Sequence, residues 1–359
     1  MQIKKLLIVT GALLLLALLV RWYSASAARV EGSYSNGFYP PFAGFLRHVF
    51  GWLPISFGDI LYGALVVFLL WRLIRGIIRL FKKRVSWKGF GMGCLKLVAI
   101  MLAVYVYFNI SWGINYNRKG IADQLNLQME KYSNSDLQNL NGMLVEKVNA
   151  AKASLVNSNA AYPSSPALFA RVRSAYAKLD TAYPFLQYHT VSLKSSMWGW
   201  LGNYTGFTGY YNPFTGEAQV NTTVPKFLQP FICCHEVAHQ LGYAKEMEAN
   251  FVGYLAASAS GDTWFHYSVY LDLFFYSNRN LYAMDSVAAK TYSKQLSPAV
   301  HADIDEWKKF VRSHKNPIEP VIRWIYGKYL QSNQQPQGVL AYDEVTSFLI
   351  AYYKKFGKI

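Results

Sequence analysis

The sequence predicts a mainly α-helical protein of the α+β class. Three N-terminal membrane helices come first, followed by a mostly helical domain with a small antiparallel β-sheet. Three observations lead there. The first 113 residues hold three long apolar runs almost free of charge. Helical periodicity resumes at residue 135 and returns from residue 262 onward. Only residues 188–225 alternate like strands and carry turn residues.

The first run, LLIVTGALLLLALLV at residues 6–20, is uncharged and flanked by Lys4, Lys5 and Arg21. FGDILYGALVVFLLWRLI and LVAIMLAVYVYFNISW follow at residues 57–74 and 97–112. Aromatic and basic anchors extend them toward the ~20 residues that cross a bilayer, giving spans at about residues 4–23, 57–74 and 94–113. Ala25 and Ala27 resemble a signal-peptidase site, but the bulky Trp22 and Tyr23 favour an uncleaved anchor. WRLIRGIIRLFKKRVSWKGF joins the second and third spans with seven Lys or Arg and no acid, which makes the loop at 75–90 cytoplasmic. The N-terminus is then cytoplasmic, residues 24–56 form an external loop rich in Gly, Pro and aromatics, and residues 114–359 form one exported domain. A net charge of +16 invites a nucleic-acid reading. However, the first 113 residues carry 13 basic against 2 acidic side chains, leaving 23 against 18 for the rest. The excess is a topology signal, and the expected partner is the lipid bilayer rather than nucleic acid.

Within the exported domain, SDLQNLNGMLVEKVNAAKASL (135–155) and PALFARVRSAYAKLD (166–180) have helical period. YHTVSLKSS (188–196) alternates, and residues 204–225 read as a hairpin turning at Asn212-Pro213 and Thr215-Gly216. Such a strand just ahead of the next helix can pair with an extended peptide, a role expected within residues 207–222. From Asp262 the chain reads as helices to its end. Three cysteines, Cys94, Cys233 and Cys234, make no disulfide framework and read as small apolar residues.

The segment CCHEVAHQLGYAKEMEAN at residues 233–250 carries the chemistry. His235 and His239 are one helical turn apart and share a face, at the reach of one tetrahedral zinc. Glu236 lies beside the open coordination position, where it can take a proton from an attacking water. Gly242 ends this helix and a second starts near Lys245, returning a third ligand to the site. Glu246 and Glu248 compete for that role. They lie about 200° apart around a helix, so both cannot face one metal, and Glu246 is preferred because Asn250 sits one turn beyond it on the same face. The E-x-x-x-N spacing resembles the second half of the gluzincin signature, which implies Glu246 as ligand and Asn250 as the group steadying a ligand histidine. The expected cofactor is one Zn2+ per chain. Tyr210, Tyr211, His266 and Tyr267 are the candidates for an oxyanion donor or substrate contact.

The stretches YPPFAGFLRHVFGWLPISFGDILYG, GYYNPFTGEAQVNT, HEVAHQLGYAKEMEANF and YLQ…GVLAYDEV make nearly the whole chain similar to an uncharacterised family of bacterial membrane proteins, domain of unknown function 3810, common in Bacteroidota. The resemblance implies a bacterial membrane protein and no activity; with the three spans and the basic loop, the expected location is the inner membrane, multi-pass, with the large domain in the periplasm. The motif adds the expectation of a zincin-like, membrane-anchored zinc metalloendopeptidase acting on peptides or proteins, with Glu236 as general base. Two other readings share the motif: a non-catalytic envelope scaffold with a structural or vestigial metal, and a zinc hydrolase of a non-peptide amide.

Overall fold

The structure is a computed structural model that describes residues 2–82 and 86–359. Lys83 and Arg84 of the basic loop lie outside the described residues. Helix α1 (Gln2–Ser24) leads through α2 (Ala27–Arg29) and a π-helix (Val30–Phe38) into α3 (Tyr39–Gly51). Next come α4 (Phe57–Phe81) and α5 (Trp87–Ser111), then α6 (Ile121–Gln124), α7 (Asn134–Asn157) and α8 (Ser165–Ala182). Strands β1 (Leu193–Ser195), β2 (Gly209–Asn212) and β3 (Glu217–Val220) form the only sheet among the described residues, with α9 (Gly199–Thr205) between β1 and β2. Helices α10 (Gln229–Gln240), α11 (Glu246–Ala259), α12 (Thr263–Met284), α13 (Ser286–Lys294), α14 (Pro298–His314), α15 (Glu319–Ser332) and α16 (Val345–Phe356) complete the chain.

Three helices are long and apolar enough to cross a membrane. They are Ile3–Ser24, Phe57–Arg79 and Trp87–Ser111, with mean hydropathies of 2.4, 1.9 and 1.9 and almost no buried surface. The second and third run further into the basic stretch than their apolar cores alone suggest, because Lys and Arg are good helix formers and extend the ends. Helix α1 packs along α5. The segment at 24–56 is helical rather than an open loop, since its aromatic side chains find buried surface against the rest of the chain.

The sheet is mixed, which corrects the expectation of a purely antiparallel one. The predicted hairpin forms, with Tyr210 opposite Gln219 and Asn212 opposite Glu217. Its turn at 213–216 uses Gly216 at φ +71°, a conformation open to glycine. Helix α9 reverses the chain between β1 and β2, so β1 joins the other edge of β3 in parallel, Leu193 opposite Ala218.

The main core lies between α7, α8, α10, α11, α12, α16 and the sheet, around Leu140, Leu144, Tyr176, Val237, Phe251 and Leu271. Helix α7 is started by a capping box between Ser133 and Asp136. A second core joins Val30, Tyr34, Tyr39 and Ala43 to Trp112, Ile114, Tyr116, Tyr211 and Ala244. Buried apolar contact therefore crosses residue 113, where the sequence divides the membrane-length helices from the rest of the chain.

Candidate metal centre

Helix α10 enters through Pro230 in its first turn and presents His235 and His239 on one face, their rings 4.7 Å apart. It stops at Gly242, whose φ of +87° reverses the chain toward α11. Helix α11 then runs back against α10 so closely that a Cβ at Gly253 would stand 3.1 Å from the His235 backbone nitrogen. This approach brings the first residue of α11, Glu246, to the two histidines. Glu246 Oε2 lies 3.3 Å from His235 Nε2 and 3.5 Å from His239 Nε2. The three side chains are buried, and one ligand atom from each falls within 4.8 Å of the others.

The outer nitrogen of each ring is already engaged. His235 Nδ1 pairs with Asn250 Oδ1 at 2.7 Å and His239 Nδ1 with the Tyr243 carbonyl at 2.7 Å. Both partners accept, so each Nδ1 carries the proton and each Nε2 offers a lone pair. Glu246 is held in its turn: Gln335 accepts its backbone N–H at 2.9 Å, and Tyr326 donates to its Oε1 at 2.7 Å. Burial pushes the Glu246 carboxyl up, but the neighbouring His235 and His239 rings outweigh it and hold the group well below the ordinary carboxylate range. Its Oε2 has no hydrogen-bond partner. Two imidazole Nε2 atoms and one carboxylate oxygen are a borderline donor set that suits zinc. The residues present fit the ion.

Glu236 is buried beside them with Oε2 unpartnered. Burial pushes its carboxyl up to about 7, against the pull of His235 and His239. The backbone of β2 passes directly over it, and a Cβ at Gly209 would come within 2.5 Å of Glu236 Oε1. Glu236 opens on a cleft of about 530 Å³, lined also by His235, residues 205–209, Tyr276, Arg279 and Tyr326 among others.

The C-terminal carbonyls of α10, left without helical partners, are taken up by residues from the first 118 of the chain. Trp112 Nε1 donates to the His239 carbonyl at 3.0 Å; the Tyr39 hydroxyl and Arg47 Nη1 each donate to the Gln240 carbonyl at 2.9 Å. Arg118 donates to the Gly242 carbonyl while forming a buried two-point pair with Glu31, at 2.7 and 3.0 Å.

Of the residues singled out from sequence, His235, Glu236, His239, Glu246 and Asn250 come together. Glu248 points elsewhere, toward Gly120 and Lys245. Tyr210, Tyr211, His266 and Tyr267 do not line the cleft. Tyr210 hydrogen-bonds Asp59 on α4 and Tyr211 pairs with Tyr39. His266 bonds the Ser258 carbonyl and Tyr267 bonds Asp303. Tyr326 reaches the site through its bond to Glu246 and Tyr276 lines the cleft; nothing in their local sequence marks either among 27 tyrosines.

Fold and site together define a protein with three membrane-length helices carrying a helical domain around a His-Glu-His-Glu candidate metal centre. The chain belongs to the family described as protein of unknown function (DUF3810), which it matches over residues 34–350. No curated protein and no solved structure matches it.

Proposed function

We propose that this protein is a membrane-anchored zinc metallopeptidase whose cleft faces the periplasm. One observation carries the reading. Two histidine Nε2 atoms and a Glu246 oxygen converge, with both Nδ1 atoms spoken for, beside a buried and unpartnered Glu236 oxygen that opens on a cleft. A site that only held a metal for structure has no use for that free base.

His235, His239 and Glu246 would hold the zinc, which supplies Lewis acidity and lowers the pKa of a water it binds. Glu236 takes the proton from the attacking water and returns it to the leaving nitrogen. The Tyr326 hydroxyl, which donates to Glu246 and lines the cleft, is placed to stabilise developing negative charge on the substrate carbonyl. Residues 205–209 run along the cleft and continue into β2, an edge strand, so an extended peptide can lie against them with its backbone paired. The basic stretch at 75–90 supports a cytoplasmic end for α4 and α5, which puts the cleft on the opposite side of the bacterial inner membrane.

The test is a comparison of membrane proteomes from cells carrying the wild-type or the Glu236→Gln protein. Substrates are expected to be intact in the variant and cleaved in the wild type. Identical proteomes, with full rescue of any deletion phenotype by Glu236→Gln, would favour a scaffold.

A further inference from the structure

Two short surface helices frame the cleft, and each shows a different face to each side. On α15, Glu319, Ile322, Arg323 and Tyr326 line the cleft at spacings of three and four, the period of one helix face. Around the helix from them, Ile318, Val321, Trp324 and Ile325 are exposed, Trp324 at 64%. On α9, Gly199 is buried against Asn221, whereas Trp200, Leu201 and Tyr204, with Met197 just ahead of the helix, form an exposed stripe, Trp200 at 57%. The two helices pack together, and Asn316, just ahead of α15, donates to the Tyr204 carbonyl at 2.7 Å. Phe207, just after α9, meets the Tyr326 ring edge-on at 5.2 Å.

Both helices are fastened to the same ends of the apolar spans. Met197 N–H donates to Asp59 Oδ2 at 2.6 Å, Trp198 Nε1 donates to the Asp59 carbonyl at 3.0 Å, and the Trp198 ring lies 3.0 Å from where a Gly63 Cβ would be. Gly63 is six residues into α4, or about 9 Å along its axis. On the other side Tyr329 of α15 packs edge-on against Phe108, one turn inside the end of α5, and shares a hydrogen bond with Tyr116. Where α4 and α5 leave the hydrocarbon, the neighbouring surface must lie in the headgroup layer. That is the depth at which tryptophan and tyrosine concentrate. The exposed stripes occur there, continuous with the spans.

We infer that α9 and α15 are seated in the interfacial layer of the bilayer and form a lipid-immersed rim on the cleft. The site then opens at the membrane surface and takes chains that the membrane itself presents, such as segments next to a membrane anchor or a lipid-modified terminus. This rests on α4 and α5 spanning the bilayer, as in the reading above.

The experiment uses the full chain with Cys94→Ala in phosphatidylethanolamine–phosphatidylglycerol vesicles; Cys233 and Cys234 are fully buried and do not compete for label. Nitroxide is placed singly at Trp200→Cys, Leu201→Cys, Trp324→Cys and Ile325→Cys, with Ile100→Cys inside α5 and Val287→Cys on α13 as lipid and water references. Collision with oxygen relative to a water-soluble nickel chelate is measured at each. The four rim labels are expected to approach Ile100 and to exceed Val287 several-fold. Rim labels that match Val287 while Ile100 stays lipid-like overturn the inference alone. An Ile100 label that matches Val287 overturns the bilayer placement and the inference with it. Since every substituted side chain is already exposed, a monodisperse gel-filtration profile suffices to show that the variants fold.

Discussion

At the residue scale, the site depends on groups that hold the ligands rather than on the ligands alone. Asn250 fixes the His235 ring through a 2.7 Å bond. Asn250→Ala is therefore expected to weaken zinc binding by about 10–100-fold, measurable by competition with a chromophoric chelator. Tyr326→Phe removes a donor without touching a ligand atom and is expected to cost about 10²-fold or more in turnover while the metal stoichiometry holds. The two histidines, the base and Glu246 were legible in the sequence because helical geometry converts their spacing into a shared face. Asn250 followed from the same arithmetic. Tyr326 was not legible, since it arrives from a helix 80 residues downstream through tertiary packing. Tyr210 and Tyr211 lie nearer the motif in sequence, but the fold turns Tyr210 to Asp59 of α4 and Tyr211 to Tyr39.

At the element scale, two glycines set how close the parts of the site can come. Gly253 lets α11 touch α10 at His235. Gly253→Ala would press a methyl onto backbone atoms of a neighbouring helix, which cannot swing away as a side chain can. It is expected to destabilise the protein by about 1–3 kcal/mol, read as a lowered unfolding midpoint in detergent. Gly209→Ala differs, because the atom it meets is the tip of Glu236. That carboxylate can move, so little stability is lost, but the base leaves its position. Turnover should fall while metal content stays the same. The helices and the hairpin were legible from period and turn residues. Strand β1 was legible from the alternation at 188–196, but its parallel pairing with β3 was not, since that follows from where the chain reverses; α9 was not legible either, because two glycines and its aromatics hide its period.

At the scale of the whole molecule, the part before residue 114 is built into the site. Tyr39 and Arg47 cap the end of the helix that carries both histidines, and Glu31 holds Arg118 against the Gly242–Tyr243 turn. Tyr243 in that turn fixes His239. Arg118→Ala would leave Glu31 buried without its partner and is expected to cost about 3–5 kcal/mol; unfolding of the variant in detergent measures it. Charge distribution and apolar runs divided the sequence at residue 113, yet they say nothing about which surfaces meet, and the second core formed across that line.

The central claim is that His235, His239 and Glu246 hold a zinc ion that Glu236 serves as base. Metal analysis of the purified full-length protein tests it most directly. The account predicts about one zinc per chain in the wild type and in Glu236→Gln, and almost none in a His235→Ala/His239→Ala double variant of unchanged gel-filtration profile. Equal zinc in the wild type and the double variant would contradict it.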